Sequence, residues 1–339
     1  MSHEGQQGRK PRIALAIGDP AGIGPELAAR MAADPAVSAA VSLIIVGDQR
    51  VLGRGAGEAG IALEDLGHLD FRDLRNLDPG TIRLGLAAAA GGGSAMANFR
   101  TCLEMAQAGQ ADAVCFTPFN KAAMKLADAS FDDEISFALR VLGRPGPASE
   151  FNVLDGLWNA RVTSHVPLSK VAGLITEASV LRGLRLTDAS MRAAGFDAPR
   201  IAVAALNPHA GDGGNFGHED DEVIRPAVEA AQREGIRADG PFPSDTVFLR
   251  ATKGAFDAVL TMYHDQGQIA MKLLGFERGV TLLGGFPFPI CTPAHGSAYD
   301  IAGQGVAHPG ATRNAVLLAG RIAASRLEGA AVPEPSLAL

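Results

Sequence analysis

Short apolar runs that stop in clusters of glycine and polar residues set the pattern of this chain. Each run has the length of a strand and is rich in Val, Ile, Leu and Ala, which is typical of buried strands. These runs are residues 12–17, 41–46, 111–116, 200–206 and 259–262. Between them, apolar positions recur at helical spacing over residues 27–33, 94–108, 219–234 and 314–324. Strands that alternate with helices predict an α/β fold.

The stretch at residues 260–276 carries the densest polar cluster at the end of any apolar run. Tyr263, His264 and Asp265 follow the run directly, and Lys272 lies within the apolar pattern that resumes after them. Open α/β sheets bind ligands at the carboxyl ends of their strands. His264 is therefore a candidate metal ligand or proton-transfer group, Asp265 a neighbouring carboxylate, and Lys272 a general acid or anion clamp. The alternative is a strand end and a turn, with His264 and Asp265 solvated.

Other segments between the apolar runs are rich in glycine. Residues 18–26, GDPAGIGPE, link a strand to a helix in the layout whose backbone amides can receive an anion, but a plain tight turn is the favoured interpretation. Their spacing matches neither the dinucleotide fingerprint nor a P-loop. Residues 207–217 form a glycine-rich polar loop. Residues 80–86 are predicted to be extended, and the Ala/Gly run 87–93 to be flexible.

Three histidines stand where a predicted strand stops, each among small or polar residues: His165, His209 and His264. Three imidazoles suit a borderline divalent ion that keeps open positions for a substrate. Sequence distance carries no geometry, so shared ligation and separate solvated positions both stay open. His295, before Gly296, is either a ligand-facing loop residue or a packed core histidine.

Composition and charge narrow the classes of function. The chain has 339 residues, 47% hydrophobic and 20% charged, with a net charge of −7, so a nucleic acid is not an expected partner. It has no run of about 18 apolar residues, so no membrane span is predicted. Residues 1–10 are polar and lack the apolar core of a signal peptide. Three scattered cysteines without zinc-ligand spacing (Cys102, Cys115 and Cys291) indicate a reducing, cytoplasmic location.

Seven stretches, in order along the chain, resemble the 4-hydroxythreonine-4-phosphate dehydrogenase family of vitamin B6 synthesis. They are GDPAGIGPE (18–26), TPFNKAA (117–123), TSHVPL (163–168), LNPHAGDGG (206–214), GPFPSDTVF (240–248), MYHDQG (262–267) and HGSAYDIAG (295–303). The resemblance covers residues 12–324. It implies a two-domain isopropylmalate-dehydrogenase-like fold with a cleft between the domains. The first α/β domain is expected at residues 11–128 with 299–329, the second at 129–298, and flexible tails at 1–10 and 330–339.

The resemblance also implies cofactors, a partner and site residues. The family uses NAD and a divalent metal, here Zn, Mn, Mg or Co, in a homodimer whose active site lies at the domain cleft and the subunit interface. Carried over, the metal ligands are His165 and His209 of one subunit with His264 of its partner. The remaining roles are expected as follows: catalytic, Lys272, Asp265 and Asp245; cofactor-binding, Gly284, Gly285, His295 and Gly240; substrate-binding, Asp133, Glu134, Thr281 and Asn207.

Several positions depart from the family where it binds the phosphate of its substrate. The usual Gly-His-Thr-Glu is replaced by Asp-Glu-Ile-Ser, beginning with Asp133 and Glu134. Thr281 and Ile290 replace an Asn and an Arg, and Ala294 replaces an Asp. Loss of charge-assisted contacts predicts poor binding of a phosphorylated substrate. In this respect the chain is similar to enzymes such as terephthalate dihydrodiol dehydrogenase.

The sequence therefore predicts an NAD- and metal-dependent dehydrogenase that oxidises, and decarboxylates, a beta-hydroxy acid. Its expected substrate is an unphosphorylated hydroxy acid or a carboxylated diol. One alternative is a genuine 4-hydroxythreonine-4-phosphate dehydrogenase with a rearranged phosphate pocket. Another is a catalytically silent small-molecule-binding homologue.

Overall fold

The computed structural model describes residues 9–62, 66, 69–154 and 156–328. The described chain divides into two compact units, one formed by residues 9–146 with 286–328 and the other by residues 147–285. The α/β class predicted from the apolar runs is confirmed in both. The predicted tails lie outside the described residues, except for residues 9 and 10. The expected domain boundaries and the cleft stay predictions.

The described residues of the first unit form five strands and seven α-helices. The strands are β1 (Arg12–Ala16), β2 (Ser42–Gly47), β3 (Asp70–Asp73), β4 (Ala113–Phe116) and β11 (Ile290–Pro293). The helices are α1 (Gly24–Ala32), α2 (Pro35–Ala40), α3 (Gln49–Glu58), α4 (Ala89–Gln107), α5 (Lys121–Ala127), α6 (Glu134–Leu142) and α12 (Gly310–Leu327). The strands are parallel in the order β3-β2-β1-β4-β11. Continuous apolar runs such as β1 are buried on both faces, as parallel sheets require.

The run of alanine and glycine before α4 differs from its prediction. Residues 89–93 are the first turns of α4 rather than a flexible segment. Gly92 explains the difference, because a Cβ there would lie 2.0 Å from the carbonyl oxygen of Ala123. The glycine thus lets α4 approach the backbone of α5 closely. Residues 80–86 also differ: a 3₁₀ turn, Pro79–Thr81, stands where an extended segment was expected.

The second unit contains six strands and five helices. The strands are β5 (Ser149–Leu154), β6 (Leu157–Arg161), β7 (Ile201–Ala204), β8 (Ala238–Phe242), β9 (Ala258–Thr261) and β10 (Val280–Gly284). The helices are α7 (Leu168–Leu174), α8 (Glu177–Ala193), α9 (Arg225–Arg233), α10 (Ser244–Ala251) and α11 (His264–Gly275). The strand order is β10-β5-β6-β9-β7-β8. The four strands from β6 to β8 run parallel, and the pairs β10–β5 and β5–β6 are antiparallel.

The strand–turn alternative for residues 260–276 is wrong about the turn, although Asp265 is exposed as that alternative expected. A helix, α11, begins at His264 directly after β9, so His264 and Asp265 lie in its first turn. Within the described ranges, no helix combines the length and the apolarity needed to cross a membrane.

Candidate functional site

Three neighbouring parallel strands of the second unit lead to the three histidines. β9 lies between β6 and β7 and pairs in parallel with both. The carboxyl ends of the three strands therefore face one edge of the sheet, and the chain leaving them reaches His165, His264 and His209 respectively. This is the edge at which parallel α/β sheets bind their ligands.

His165 and His264 lie close together because their loops are joined by hydrogen bonds. The backbone N–H of Thr163 donates to the carbonyl of Met262 over 3.1 Å, and its hydroxyl donates to the same oxygen over 2.8 Å. The imidazole centroids of His165 and His264 are 5.5 Å apart. The structure thus brings two of the three predicted histidines together within one chain.

Asp265 fixes the orientation of the His264 ring. Nδ1 of His264 lies 2.7 Å from Oδ1 of Asp265. A carboxylate bound to one imidazole nitrogen directs the other nitrogen outward, which is the usual arrangement behind a metal-ligating histidine. Nε2 is therefore the nitrogen of His264 that is available to a metal ion.

His209 lies in a loop with an unusual backbone. His209, Ala210 and Asp212 all have positive φ, at 53°, 56° and 47°, and His165 shares this conformation with a φ of 42°. Left-handed backbone in non-glycine residues costs about 1–3 kcal/mol each and is concentrated at functional sites. Surrounding contacts must therefore hold these two histidines in place.

Asp220 supplies such contacts for the His209 loop. Its side chain is fully buried, and its two oxygens accept the backbone N–H groups of Leu206 (2.8 Å) and Asn207 (3.0 Å). Asp220 opens a π-helical segment, Asp220–Ile224, before α9. The sequence analysis missed this residue, and the acidic start of the helix was its only signal.

Gln266 is a second supporting residue that the sequence analysis missed. Its amide oxygen accepts the Met262 N–H over 2.7 Å. Its amide nitrogen donates to the Ala205 carbonyl (2.7 Å) and to the Ser244 hydroxyl (2.8 Å). One side chain therefore connects the ends of β9 and β7 to the start of α10. Its place inside the MYHDQG motif was the available signal.

The donor set fits a divalent metal in part. His165 and His264 present imidazole nitrogens at a separation that two ligands of one ion can have, and imidazole suits Zn, Co and Mn. Among the described residues, however, no group of three His, Cys, Asp or Glu side chains is placed to hold an ion. The described residues of one chain therefore bring two candidate ligands together, and His209 does not join them in a group of three.

The other predicted residues of the second unit differ in exposure and in their partners. Asp245 is exposed in the first turn of α10. Lys272 is exposed on α11, seven residues after Asp265 and so about 10 Å along the helix axis on the same face. Asn207 donates its side-chain amide to Glu219 over 2.8 Å. Thr281 lies opposite Asn152 in the β10–β5 pair.

The three glycines predicted to bind the cofactor have packing reasons of their own. A Cβ on Gly240 would lie 2.6 Å from the Val203 carbonyl oxygen, and one on Gly284 would lie 2.2 Å from the ring of Phe151. Gly285 has a φ of 92°. Close approach and positive φ explain these glycines without a nucleotide, so their cofactor role stays a prediction.

In the first unit, three of the quoted motifs meet at the carboxyl ends of β1, β4 and β11. The Gly18 N–H donates to the Thr117 hydroxyl over 2.7 Å. The Ile23 N–H donates to the Ser297 carbonyl over 3.0 Å, and the Asn120 amide donates to the Ser297 hydroxyl over 3.3 Å. These motifs are far apart in the sequence, so the sequence alone did not predict that they lie together.

A buried carboxyl group lies where these motifs meet. Asp19 is 1% exposed, accepts a short hydrogen bond from the Tyr299 hydroxyl, and was not among the predicted site residues. Burial raises the pKa of Asp19, and burial together with this hydrogen bond raises that of Tyr299. His295 is half-buried after β11, and burial lowers its pKa, which favours the neutral imidazole.

Asp133 and Glu134 both have partners within the first unit. Asp133 caps α6, where its carboxylate accepts the Ser136 N–H over 2.7 Å. Glu134 forms an ion pair with Lys121 over 3.2 Å. Both acids therefore have partners in the chain itself, and their expected role in substrate binding stays a prediction.

Comparisons with known proteins agree on one family. The family described as "Pyridoxal phosphate biosynthetic protein PdxA" matches residues 39–319. A protein proposed to be 4-hydroxythreonine-4-phosphate dehydrogenase 2, from Rhizobium meliloti, is 55% identical over 94% of this chain and 95% of its own. The crystal structure of 4-hydroxythreonine-4-phosphate dehydrogenase from Klebsiella pneumoniae superposes with a TM-score of 0.81 at 31% identity, over 92% of this chain and 99% of that one. Terephthalate 1,2-cis-dihydrodiol dehydrogenase from Burkholderia xenovorans superposes with a TM-score of 0.65 at 29% identity, over 92% and 98%.

Proposed function

The chain belongs to the family of the pyridoxal phosphate biosynthetic protein PdxA, and from this membership we propose that it is an NAD- and divalent-metal-dependent dehydrogenase of a hydroxy acid. Its relatives are named dehydrogenases, so the chain is an oxidoreductase that acts on a hydroxyl group. The main observation that supports dependence on a divalent metal is the His165–His264 pair, with Asp265 bound to Nδ1 of His264. A silent homologue would have no need to keep such an arrangement.

The proposed reaction removes a hydride from the secondary alcohol carbon and a proton from its hydroxyl group. NAD would serve as the hydride acceptor. The alcohol carbon becomes a ketone, a carboxylate beta to it leaves as CO₂, and the carbon that loses CO₂ takes up a proton. A divalent ion, when bound, lowers the pKa of the alcohol and stabilises negative charge on its oxygen. His165, His209 and His264 would hold that ion.

The side chains around the histidines have separate proposed roles. Asp265 orients His264, which its 2.7 Å contact supports. Lys272 and Asp245 are exposed and carry opposite charges, so we assign them to substrate orientation and proton transfer. Gly240, Gly284, Gly285 and His295 remain the proposed contacts of the cofactor. We also propose a cytoplasmic location, which the three buried free thiols support.

A homodimer with a shared site accounts for the missing third ligand. Large apolar side chains are exposed along the chain next to both histidines: Val166 and Leu168 after His165, and Ile269 and Leu273 after His264. We propose that these four residues form one apolar patch, and a contiguous exposed patch of this kind marks an interaction surface. The 5.5 Å separation of the two imidazole centroids favours His165 and His264 as the ligands from one subunit. The third ligand would be His209 of the partner subunit. This pairing differs from the one that the resemblance implied.

Mixing inactive variants tests the pairing. A mixture of His165→Ala and His209→Ala proteins should regain activity, because one site of each mixed dimer then has all three histidines. Under the pairing implied by the resemblance, that mixture stays inactive, and a mixture of His165→Ala with His264→Ala recovers instead. Subunit exchange is confirmed independently with tagged chains. No recovery in either mixture would refute a shared site.

The start of α6 supports an unphosphorylated substrate. A free helix N-terminus is a common phosphate site, but the Asp133 carboxylate already accepts an N–H there and adds negative charge. Glu134 forms an ion pair with Lys121. We therefore propose a hydroxy acid or carboxylated diol without a phosphate. The name of the Rhizobium meliloti relative favours a second candidate, 4-hydroxythreonine 4-phosphate.

Steady-state kinetics separate the two substrates. NADH formation is followed by absorbance with 4-phosphohydroxythreonine and with a panel of unphosphorylated beta-hydroxy acids and carboxylated cyclohexadiene diols, each with Zn, Mn, Mg or Co. We expect kcat/KM for the phosphorylated substrate to lie below about 10⁴ M⁻¹s⁻¹, and at least one panel member to exceed it. A higher value for the phosphorylated substrate would establish the second candidate. No turnover of any hydroxy acid, with metal content verified, would refute the dehydrogenase proposal.

A further inference from the structure

A cavity of about 330 Å³ in the first unit lies away from the motif residues described above. Ala111 and Asp112, which directly precede β4, line it together with the last turns of α12. The motif residues of the first unit follow the carboxyl end of β4, so the cavity lies at the opposite, amino end of that strand. Its volume falls within the range of small-molecule sites, about 300–1,000 Å³.

The unusual feature of this cavity is Arg326. Its Nε is buried and has no hydrogen-bond partner, and Nη1 donates only to the neutral carbonyl of Pro287. Burial lowers the pKa of the guanidinium, and no described carboxylate raises it. The buried Arg161, by contrast, forms an ion pair with Glu150. Arg326 is half-buried, and no described carboxylate pairs with it, so its guanidinium is open to an anionic partner.

The other charges at the cavity strengthen this conclusion. Arg144 also lines the cavity, and no carboxylate among the described residues forms an ion pair with it. The single acid in the lining, Asp112, is already bound by Arg9 and Arg12 at 2.6 Å and 3.1 Å. The cavity therefore has an excess of positive charge.

Apart from Gln107, the rest of the lining is apolar. Phe288, Leu327 and Ala323 face the same space as the two guanidinium groups. A ligand that pairs with the arginines and also covers the apolar wall has one anionic group and a short apolar body. Inorganic anions would meet the arginines but leave the apolar wall uncovered.

We propose that this cavity binds a small organic anion, a carboxylate or phosphate monoester on a short apolar body, through Arg326 and Arg144. The site is separate from the proposed dehydrogenase site, since none of its lining residues belongs to that site. Binding there supplies the counter-charge that Arg326 lacks.

Isothermal titration at constant ionic strength tests the proposal, with benzoate, phenyl phosphate and inorganic phosphate as probes. We expect one benzoate or phenyl phosphate per chain, bound more tightly than inorganic phosphate. Arg326→Gln should weaken binding about tenfold to a hundredfold, as loss of a charge-assisted hydrogen bond implies. Arg83→Gln is the matched control, because Arg83 is an exposed arginine of the same unit. The Arg83→Gln variant should bind the probes as tightly as the wild type.

Two further variants keep the test decisive. Gln107→Trp fills the mouth of the cavity from an exposed position and leaves both arginines intact, so it replaces Arg326→Gln if that variant does not fold. Gln107→Trp should also abolish binding of the two organic probes. His209→Ala should bind the probes as the wild type does. The proposal is overturned if neither organic probe binds saturably, if Arg83→Gln weakens binding as much as Arg326→Gln, or if only His209→Ala loses it.

Discussion

Replacing Asp220 by Asn should loosen the His209 loop and lower the stability of the second unit. The carboxylate accepts two backbone N–H groups, from Leu206 and Asn207, while fully buried. A hydrogen bond to a charged group contributes about 1.5–3 kcal/mol. An asparagine keeps one acceptor oxygen and turns an N–H₂ group toward the other donor. One bond is therefore lost and one donor is left buried, and the expected loss of unfolding free energy is about 2–4 kcal/mol.

Asp221→Asn is the matched control for this change. Asp221 is the next residue and carries the same charge, but its side chain is 43% exposed and pairs only with Arg225. Surface pairs of this kind contribute about 0.3–0.5 kcal/mol. Urea unfolding followed by circular dichroism measures both variants. A typical domain has about 5–15 kcal/mol of stability, so the Asp220 variant should remain folded at 25 °C.

Two further measurements locate the effect. Amide hydrogen exchange of Leu206 and Asn207 should accelerate in Asp220→Asn and stay unchanged in Asp221→Asn. If His209 is a ligand, turnover should fall in the first variant only. Equal stability and equal exchange in the two variants would show that Asp220 does not hold the loop.

Two other predictions follow from the first unit. Burial alone would raise the pKa of Asp112, but hydrogen bonds from Arg9 and Arg12 outweigh it and hold the pKa below its usual range. The stability that Asp112 contributes is therefore complete above its unfolded pKa of about 3.9 and is lost as the pH falls through the lower folded value. Urea titrations from pH 7 to 2 should show a constant deficit for Asp112→Asn above pH ~4 that shrinks below it; a deficit that grows on acidification would contradict this. Gly92→Ala should destabilise the protein by about 1–3 kcal/mol through its clash with Ala123, whereas Gly93→Ala, with its nearest neighbour at 3.8 Å, should stabilise it by about 0.5–1 kcal/mol; melting temperatures that shift in the same direction would contradict the packing argument.

The sequence predicted those features that depend on local pattern. Apolar runs located β1, β2, β7 and β9 within a residue or two, because burial on both faces selects such runs. The run before α4 was wrong because glycine composition alone does not distinguish flexibility from close packing. The pairing of β6 with β9 joins Asn159 to Val259, and no local signal encodes it. The contact of His165 with His264 and the roles of Asp220 and Gln266 depend on such long-range pairing, so they required the structure.

The interrupted path of the chain through the first unit has a consequence for biosynthesis. Residues 9–146 supply four of its five strands, but β11 and α12 come only after the whole second unit, beginning at Ile290. β11 pairs with β4, where Ile290 lies beside Val114, and α12 packs on both strands. An emerging chain therefore carries an unfinished sheet edge while it makes the next 140 or so residues, which at about 5–20 residues per second takes roughly 7–28 seconds. During that interval β4 offers unpaired backbone groups, the usual template for mispairing between chains. The need of the new chain for chaperones should therefore depend on the time before β11 is synthesised. The stability of the finished fold should matter less.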